Sequence, residues 1–200
     1  MVEFRIGKCR IELHFLFAAV VTILILLSPS FQGAMLAAGC HEAGHLLCMR
    51  AFSCAPEHIV LHAFGIDMVD RKSTGSYSRD ALISLAGPIG NLLLFLAFLP
   101  AAPSAGLFLQ SFLAANGVLA GFHLLPVAPL DGGQALFSLL SLRLGTEKAG
   151  TVVWILSFVV LLPLAVLGFW ILLRSRYNFS LLFACVYLMM LLVLRRGRYF

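Results

Sequence analysis

Residues 81–130 read ALISLAGPIGNLLLFLAFLPAAPSAGLFLQSFLAANGVLAGFHLLPVAPL, a run without one Asp, Glu, Lys or Arg. A helix that spans a bilayer needs about 20 apolar residues in succession. The run therefore holds two spans, parted at Pro100 and Pro103, where a helix loses backbone donors. Outward from it, the same gap in charge recurs over residues 13–40, 149–173 and 177–194. Hydrophobic side chains make up 61% of the chain and charged ones 12%, with a mean hydropathy of +0.99. Soluble chains stand at about 45–50% and about 25%, and disorder requires low hydrophobicity with high net charge. Both classes are excluded. The sequence predicts an all-α polytopic membrane protein.

Six membrane helices are predicted, at about Ile11–Leu27, Phe31–Phe52, Asp80–Leu99, Ser104–Leu125, Thr151–Leu173 and Phe179–Leu194. A short helix from Gln134 to Leu144 follows Asp131-Gly132-Gly133. No repeat or low-complexity tract breaks the chain, so residues 1–200 read as one membrane-embedded domain. The first apolar stretch runs into Ser28-Pro29-Ser30 without a small-x-small cleavage pattern, and reads as a retained span rather than a signal peptide.

The net charge of +5 does not point to nucleic acid, because the basic residues sit in short clusters between apolar stretches. With the N-terminus inside, the inner segments hold Arg5, Lys8, Arg10, Arg50, Arg71, Lys72, Arg79, Arg143, Lys148, Arg195, Arg196 and Arg198. The outer segments hold only Arg174 and Arg176. That bias places both termini in the cytoplasm. The five cysteines (Cys9, Cys40, Cys48, Cys54, Cys185) form no C-x-x-C pair and read as small buried hydrophobes.

Between the second and third helices, Ile59 to Phe64 lies between Pro56 and Gly65 and reads as a short strand, with Ile66–Val69 as its return. Strand backbone at membrane depth is tolerated only where protein or a water-filled cavity satisfies it. A re-entrant β-hairpin beside a polar site fits that rule; an ordinary cytoplasmic loop fits the pattern equally.

The chemistry centres on His41-Glu42-Ala43-Gly44-His45. Histidines four apart share one helix face about one turn apart, which lets two imidazoles hold one metal ion. Glu42 sits beside them, able to act on water without being a ligand. H-E-x-x-H is the zinc-hydrolase arrangement with Glu as general base. Within a membrane span the pattern is far more specific than in a soluble chain, because a charge at the bilayer centre costs at least roughly 2.5–3.5 kcal/mol. The bland alternative is a packed histidine pair with a hydrogen-bonded carboxylate.

A catalytic zinc takes three protein ligands and keeps one position open. Asp131 is the other acidic residue in strongly apolar surroundings, in Pro126-Val127-Ala128-Pro129-Leu130-Asp131-Gly132-Gly133. The fourth helix enters this turn from the outer face, so Asp131 lies near the cytoplasmic end. His45 is five residues, about 7 Å of helix rise, before Arg50 at the same end. A site of His41, His45 and Asp131 follows; the alternative is that Asp131 caps the next helix.

These residues resemble a family. His41-Glu42-Ala43-Gly44-His45 with a distant Pro129-Leu130-Asp131-Gly132-Gly133, and Ala86-Gly87-Pro88-Ile89-Gly90-Asn91 between them, look like the site-2 protease family of intramembrane zinc metalloproteases. The likeness covers residues 5–195 and is nearest to the branch that processes a membrane-tethered pro-sigma factor in sporulation. It implies an active site near the cytoplasmic face of a bacterial cell membrane and a membrane-tethered protein substrate cut in or beside its transmembrane segment. It also implies that Phe64-Gly65 belongs to a hairpin presenting a strand edge to substrate. Membrane inhibitor or activator proteins are further partners it suggests. In that branch an Asn stands eight residues before the ligand Asp and holds substrate or the oxyanion; here the place is taken by His123, with Asn116 as a substitute. The chain ends after the sixth helix, where many relatives continue into a nucleotide-sensing domain, so regulation by that route is not expected.

The mechanism read from these residues is hydrolysis with one Zn2+ per chain on His41, His45 and Asp131, Glu42 as base and His123 as donor to substrate. Cys48 is weighed as a fourth ligand, His14 and Glu12 as interfacial side chains at the start of the first span, and His58 and His62 as surface residues that can line the substrate path. Asn91 reads as a helix-packing or polar-contact residue. The alternative function is a membrane metal-ion transporter using the same residues, although no repeated halves with paired broken helices are present. A proteolytically dead scaffold is a third reading, disfavoured because metal binding alone does not need Glu42.

Overall fold

The alternation of Val2-Glu3-Phe4-Arg5-Ile6 and Cys9-Arg10-Ile11-Glu12-Leu13 is a strand pattern with charge at every second position. In the computed structural model, which describes residues 2–6, 9–56, 58–62, 65–69 and 75–194, these segments are β1 (Val2–Ile6) and β2 (Cys9–Leu13). Cys9–Leu13 is therefore strand, not the start of the first helix. The expected hairpin forms as β3 (His58–His62) and β4 (Gly65–Val69), paired antiparallel. It is not isolated: β2 joins β3 in parallel, giving a four-stranded sheet in the order β1-β2-β3-β4. Of the hairpin expected to present a strand edge to substrate, the first strand, β3, is thus an inner one flanked on both sides. Among the described strands the outer ones are β1 and β4.

Phe4, Ile11 and Ile59 stand in register on one face of the sheet, and Ile59 is buried. On the other face Arg10 reaches Glu3 at 2.6 Å and Glu12 at 3.2 Å, while His58 Nε2 lies 3.0 Å from Glu12. Glu12 is therefore a cross-strand partner rather than a snorkelling residue. Phe64, Asp70, Lys8, Arg71, Lys72, Arg195, Arg196 and Arg198, which carry parts of the hairpin and orientation readings, lie outside the described residues.

The helices correspond one for one to the predicted segments. They are α1 (Phe15–Leu27), α2 (Pro29–Ala51), α3 (Tyr77–Phe98), α4 (Leu107–His123), α5 (Asp131–Leu144), α6 (Thr146–Ser175) and α7 (Ser180–Leu194). A 3₁₀ turn over Leu99–Ser104 carries Pro100 and Pro103. Among the described residues, two helices are long and apolar enough to cross a membrane: Tyr77–Ser104, counting that turn, and Thr146–Ser175. α1, α4 and α7 are apolar but shorter.

The chain divides into two compact units, residues 1–76 with 86–120, and residues 77–85 with 121–200. In the first, Pro29 opens α2 at a position where its missing N–H costs nothing. Gly33, Ala37, His41, His45 and Met49 then recur every fourth residue on its buried face. α2 crosses close to the Ala86-Gly87 part of α3: a methyl on Gly44 would lie 2.8 Å from the Ala86 carbonyl oxygen. In the second unit Val127, Ala128, Leu130, Val153, Leu161, Cys185, Leu188 and Leu192 form one apolar core. All five cysteines are free thiols; Cys54 and Cys185 are buried and the other three half-buried. Burial pushes the Cys9 thiol up.

Candidate metal centre

The four-residue spacing of the α2 stripe carries both histidines inward: His41 is 4% exposed and His45 7%. Their Nε2 atoms stand 3.2 Å apart, with the rings edge to face. Two nitrogens bound to one tetrahedral zinc at about 2.0–2.1 Å are separated by about 3.3 Å. The separation of the pair matches that of two nitrogens sharing one zinc. Glu42 follows His41, lies off the buried stripe and is partly exposed.

A chain of amides sits behind His41. Its Nδ1 lies 2.6 Å from Asn91 Oδ1 on α3. Asn91 Nδ2 donates to the Ala37 carbonyl at 3.1 Å and to Asn116 Oδ1 on α4 at 2.8 Å. Asn116 Nδ2 in turn donates to the Phe112 carbonyl at 2.8 Å. Both asparagines are fully buried. A histidine ligand is normally oriented by such a hydrogen bond on its other nitrogen. Gly87 is the gap that admits His45, since a methyl there would run into the imidazole.

In the second unit Asp131 Oδ2 accepts from Nδ1 of His123 at 2.7 Å. Leu130 holds the N-cap position of α5 without a side-chain cap bond, and Asp131 is the first residue of the helix. There its negative charge also meets the positive end of the helix dipole. The turn before it is fixed by backbone bonds from Val127 N to Leu125 O and from Leu130 N to Val127 O, both 2.8 Å. Ser157 Oγ on α6 accepts from Ala128 N at 2.9 Å, and Gln134 donates its side-chain amide to Ala128 O at 2.8 Å. Gly132 and Gly133 are dictated by this fold-back, because a methyl on either would collide with the carbonyls of Leu124 or Val127.

His41 and His45 are thus brought together in one unit, and His123 and Asp131 in the other. Cys48 joins no group of metal donors among the described residues. His14 is exposed at the start of α1 and His58 is half-buried in β3. The sequence reading passed over the amide chain and the Ser157 and Gln134 anchors. The available signal was polarity itself, an Asn or Ser standing alone in an apolar helix.

No family profile matches the chain. It is 28% identical over 162 residues to a zinc metalloprotease of Methanocaldococcus jannaschii, covering 73% of this chain and 47% of that protein. It is 31% identical over 122 residues to a protein of Synechocystis provisionally described as a zinc metalloprotease, covering 56% and 31%. The chain spans less than half the length of both relatives. Among solved structures, the site-2 protease from Methanocaldococcus jannaschii superimposes with a TM-score of 0.64 at 22% identity, over 98% of this chain and 94% of that one. The likeness to site-2 proteases read from the motifs is borne out in fold, and both sequence relatives are described as zinc metalloproteases.

Proposed function

We propose that this chain, built on the site-2 protease fold, is an intramembrane zinc metalloprotease that hydrolyses a peptide bond in or next to a transmembrane segment of a membrane-tethered protein. The observation that carries the reading is the His41–His45 pair, buried and spaced for one zinc, with Glu42 beside it. His41 and His45 supply neutral nitrogens and Asp131 a carboxylate, a donor set suited to a catalytic zinc. When bound, zinc polarises the scissile carbonyl and lowers the pKa of water to about 7. Glu42 accepts the proton of the attacking water and returns it to the leaving amine.

His123 commits its Nδ1–H to Asp131. A neutral imidazole then has no second N–H for an oxyanion, so in this reading His123 orients the Asp131 carboxylate. Substrate unwinds locally and pairs as a strand with the outer edge of β4, adding main-chain hydrogen bonds. Six of the helices cross the bilayer, both termini lie in the cytoplasm, and a membrane-tethered pro-sigma factor is the substrate that the branch likeness suggests.

Purified chain incubated with a tethered substrate, with and without a zinc chelator, tests the reading. Cleavage lost on chelation and restored by zinc supports the protease. Zinc flux into proteoliposomes without cleavage would make it a transporter, and neither activity a scaffold.

A further inference from the structure

We propose that Asn116 and Asn91 form a one-way hydrogen-bond relay that locks His41 in its Nδ1–H tautomer and presents Nε2 as a lone pair toward the metal position. Two backbone carbonyls set the direction. Asn116 Nδ2 faces the Phe112 carbonyl at 2.8 Å, an acceptor that cannot donate, so Oδ1 must face Asn91. Asn91 Nδ2 bridges that Oδ1 and the Ala37 carbonyl, at 2.8 and 3.1 Å, so Asn91 Oδ1 must face His41. Turning either amide over would set oxygen against carbonyl oxygen in a fully buried place. His41 Nδ1, 2.6 Å from an oxygen that only accepts, therefore carries the proton. In neutral imidazole the other nitrogen is then unprotonated, the form a metal ligand needs.

Asn91 and Asn116 are thus positioning residues, and Asn116 acts without touching His41. With Asn116 in place the Asn91 amide has one satisfied orientation. Without that acceptor one Asn91 N–H is left with no partner and the Ala37 carbonyl alone holds the amide's orientation, so the preference for one His41 tautomer weakens. The consequence for zinc rests on His41 being a ligand; the tautomer itself does not.

The test uses the full chain in detergent with 15N-labelled histidine, read by NMR in the metal-free state, and zinc retention against a competing chelator. Wild type shows His41 protonated at Nδ1 alone. Asn116→Leu shows both tautomers and loses zinc at about 10–100-fold lower chelator concentration. Asn116→Asp, protonated in this buried place, donates its O–H to Phe112 and accepts from Asn91, and behaves as wild type. Asn116→Ser, smaller and easily accommodated, turns its hydroxyl back onto the Phe112 carbonyl and behaves as Asn116→Leu. An unchanged His41 tautomer in both Asn116→Leu and Asn116→Ser overturns the relay, as does equal zinc loss in Asn116→Asp and Asn116→Leu. A wild type that binds no zinc but still shows the tautomer shift in Asn116→Leu keeps the relay and removes the metal reading instead.

Discussion

Gly87→Ala and Gly90→Ala make the same change three residues apart on α3, and the structure assigns them opposite outcomes. A methyl built on Gly87 falls 2.8 Å from Cε1 and 2.9 Å from Cδ2 of His45. Carbon atoms rest at about 3.5–4.0 Å, so the imidazole must retreat by roughly 0.7 Å or more. Metal–ligand distances tolerate about 0.2 Å, and His45 is fully packed, so the shift carries its Nε2 out of range of an ion shared with His41. Zinc retention against a chelator should fall at least tenfold. Overpacking itself costs about 1–3 kcal/mol, visible as a lower unfolding midpoint in detergent. A methyl on Gly90 meets nothing within 4 Å. There the loss of glycine's conformational freedom in a helix should stabilise by roughly 0.5–1 kcal/mol, with zinc unchanged. Wild-type zinc retention in Gly87→Ala, or equal loss in both variants, would refute the placement of His45 against α3.

Asp131→Ala should lower zinc content and cleavage together, while Asp67→Ala on β4 leaves zinc content at the wild-type level; metal analysis after dialysis reads both. His123→Asn keeps an N–H donor for Asp131 and should retain zinc and activity within about tenfold, whereas His123→Phe loses the donor and should bind zinc about 10–100-fold more weakly. Equal zinc affinity in the two His123 variants would show that the 2.7 Å contact does not orient Asp131. Gly133→Ala forces the α5 N-terminus away from the Val127 carbonyl, and should lower both the unfolding midpoint and zinc content.

The helices were legible because charge disappears over whole spans and returns at their ends, and because Ser28-Pro29, Pro100 and Pro103 punctuate them. The β3–β4 hairpin was legible from a short apolar run between Pro56 and Gly65. The N-terminal strands were not, since Arg5, Lys8 and Arg10 read as an orienting basic cluster and Ile11 to Leu13 continue smoothly into the apolar run of α1. The period-two alternation of Cys9-Arg10-Ile11-Glu12-Leu13 was the signal, and parallel pairing with a strand some fifty residues later is a long-range choice that local pattern does not reveal. In the candidate centre, the convergence of His41 and His45 was legible from their four-residue spacing. The amides behind them were not, because the contacts from Asn91 to His41 and Asn116 join three different helices. Gly87, Gly132 and Gly133 stood out in the motifs, yet which atoms exclude a side chain at each is a fact of packing.

Zinc content and cleavage measured on the same preparations of wild type and Glu42→Gln test the central claim most directly. In the proposed mechanism Glu42 takes part as base and not as ligand, so Glu42→Gln should bind about one zinc per chain, as wild type does, while a tethered substrate stays uncut. Cleavage by Glu42→Gln at the wild-type rate would contradict the assignment of the base, and wild-type protein free of zinc yet active would contradict the metalloprotease itself.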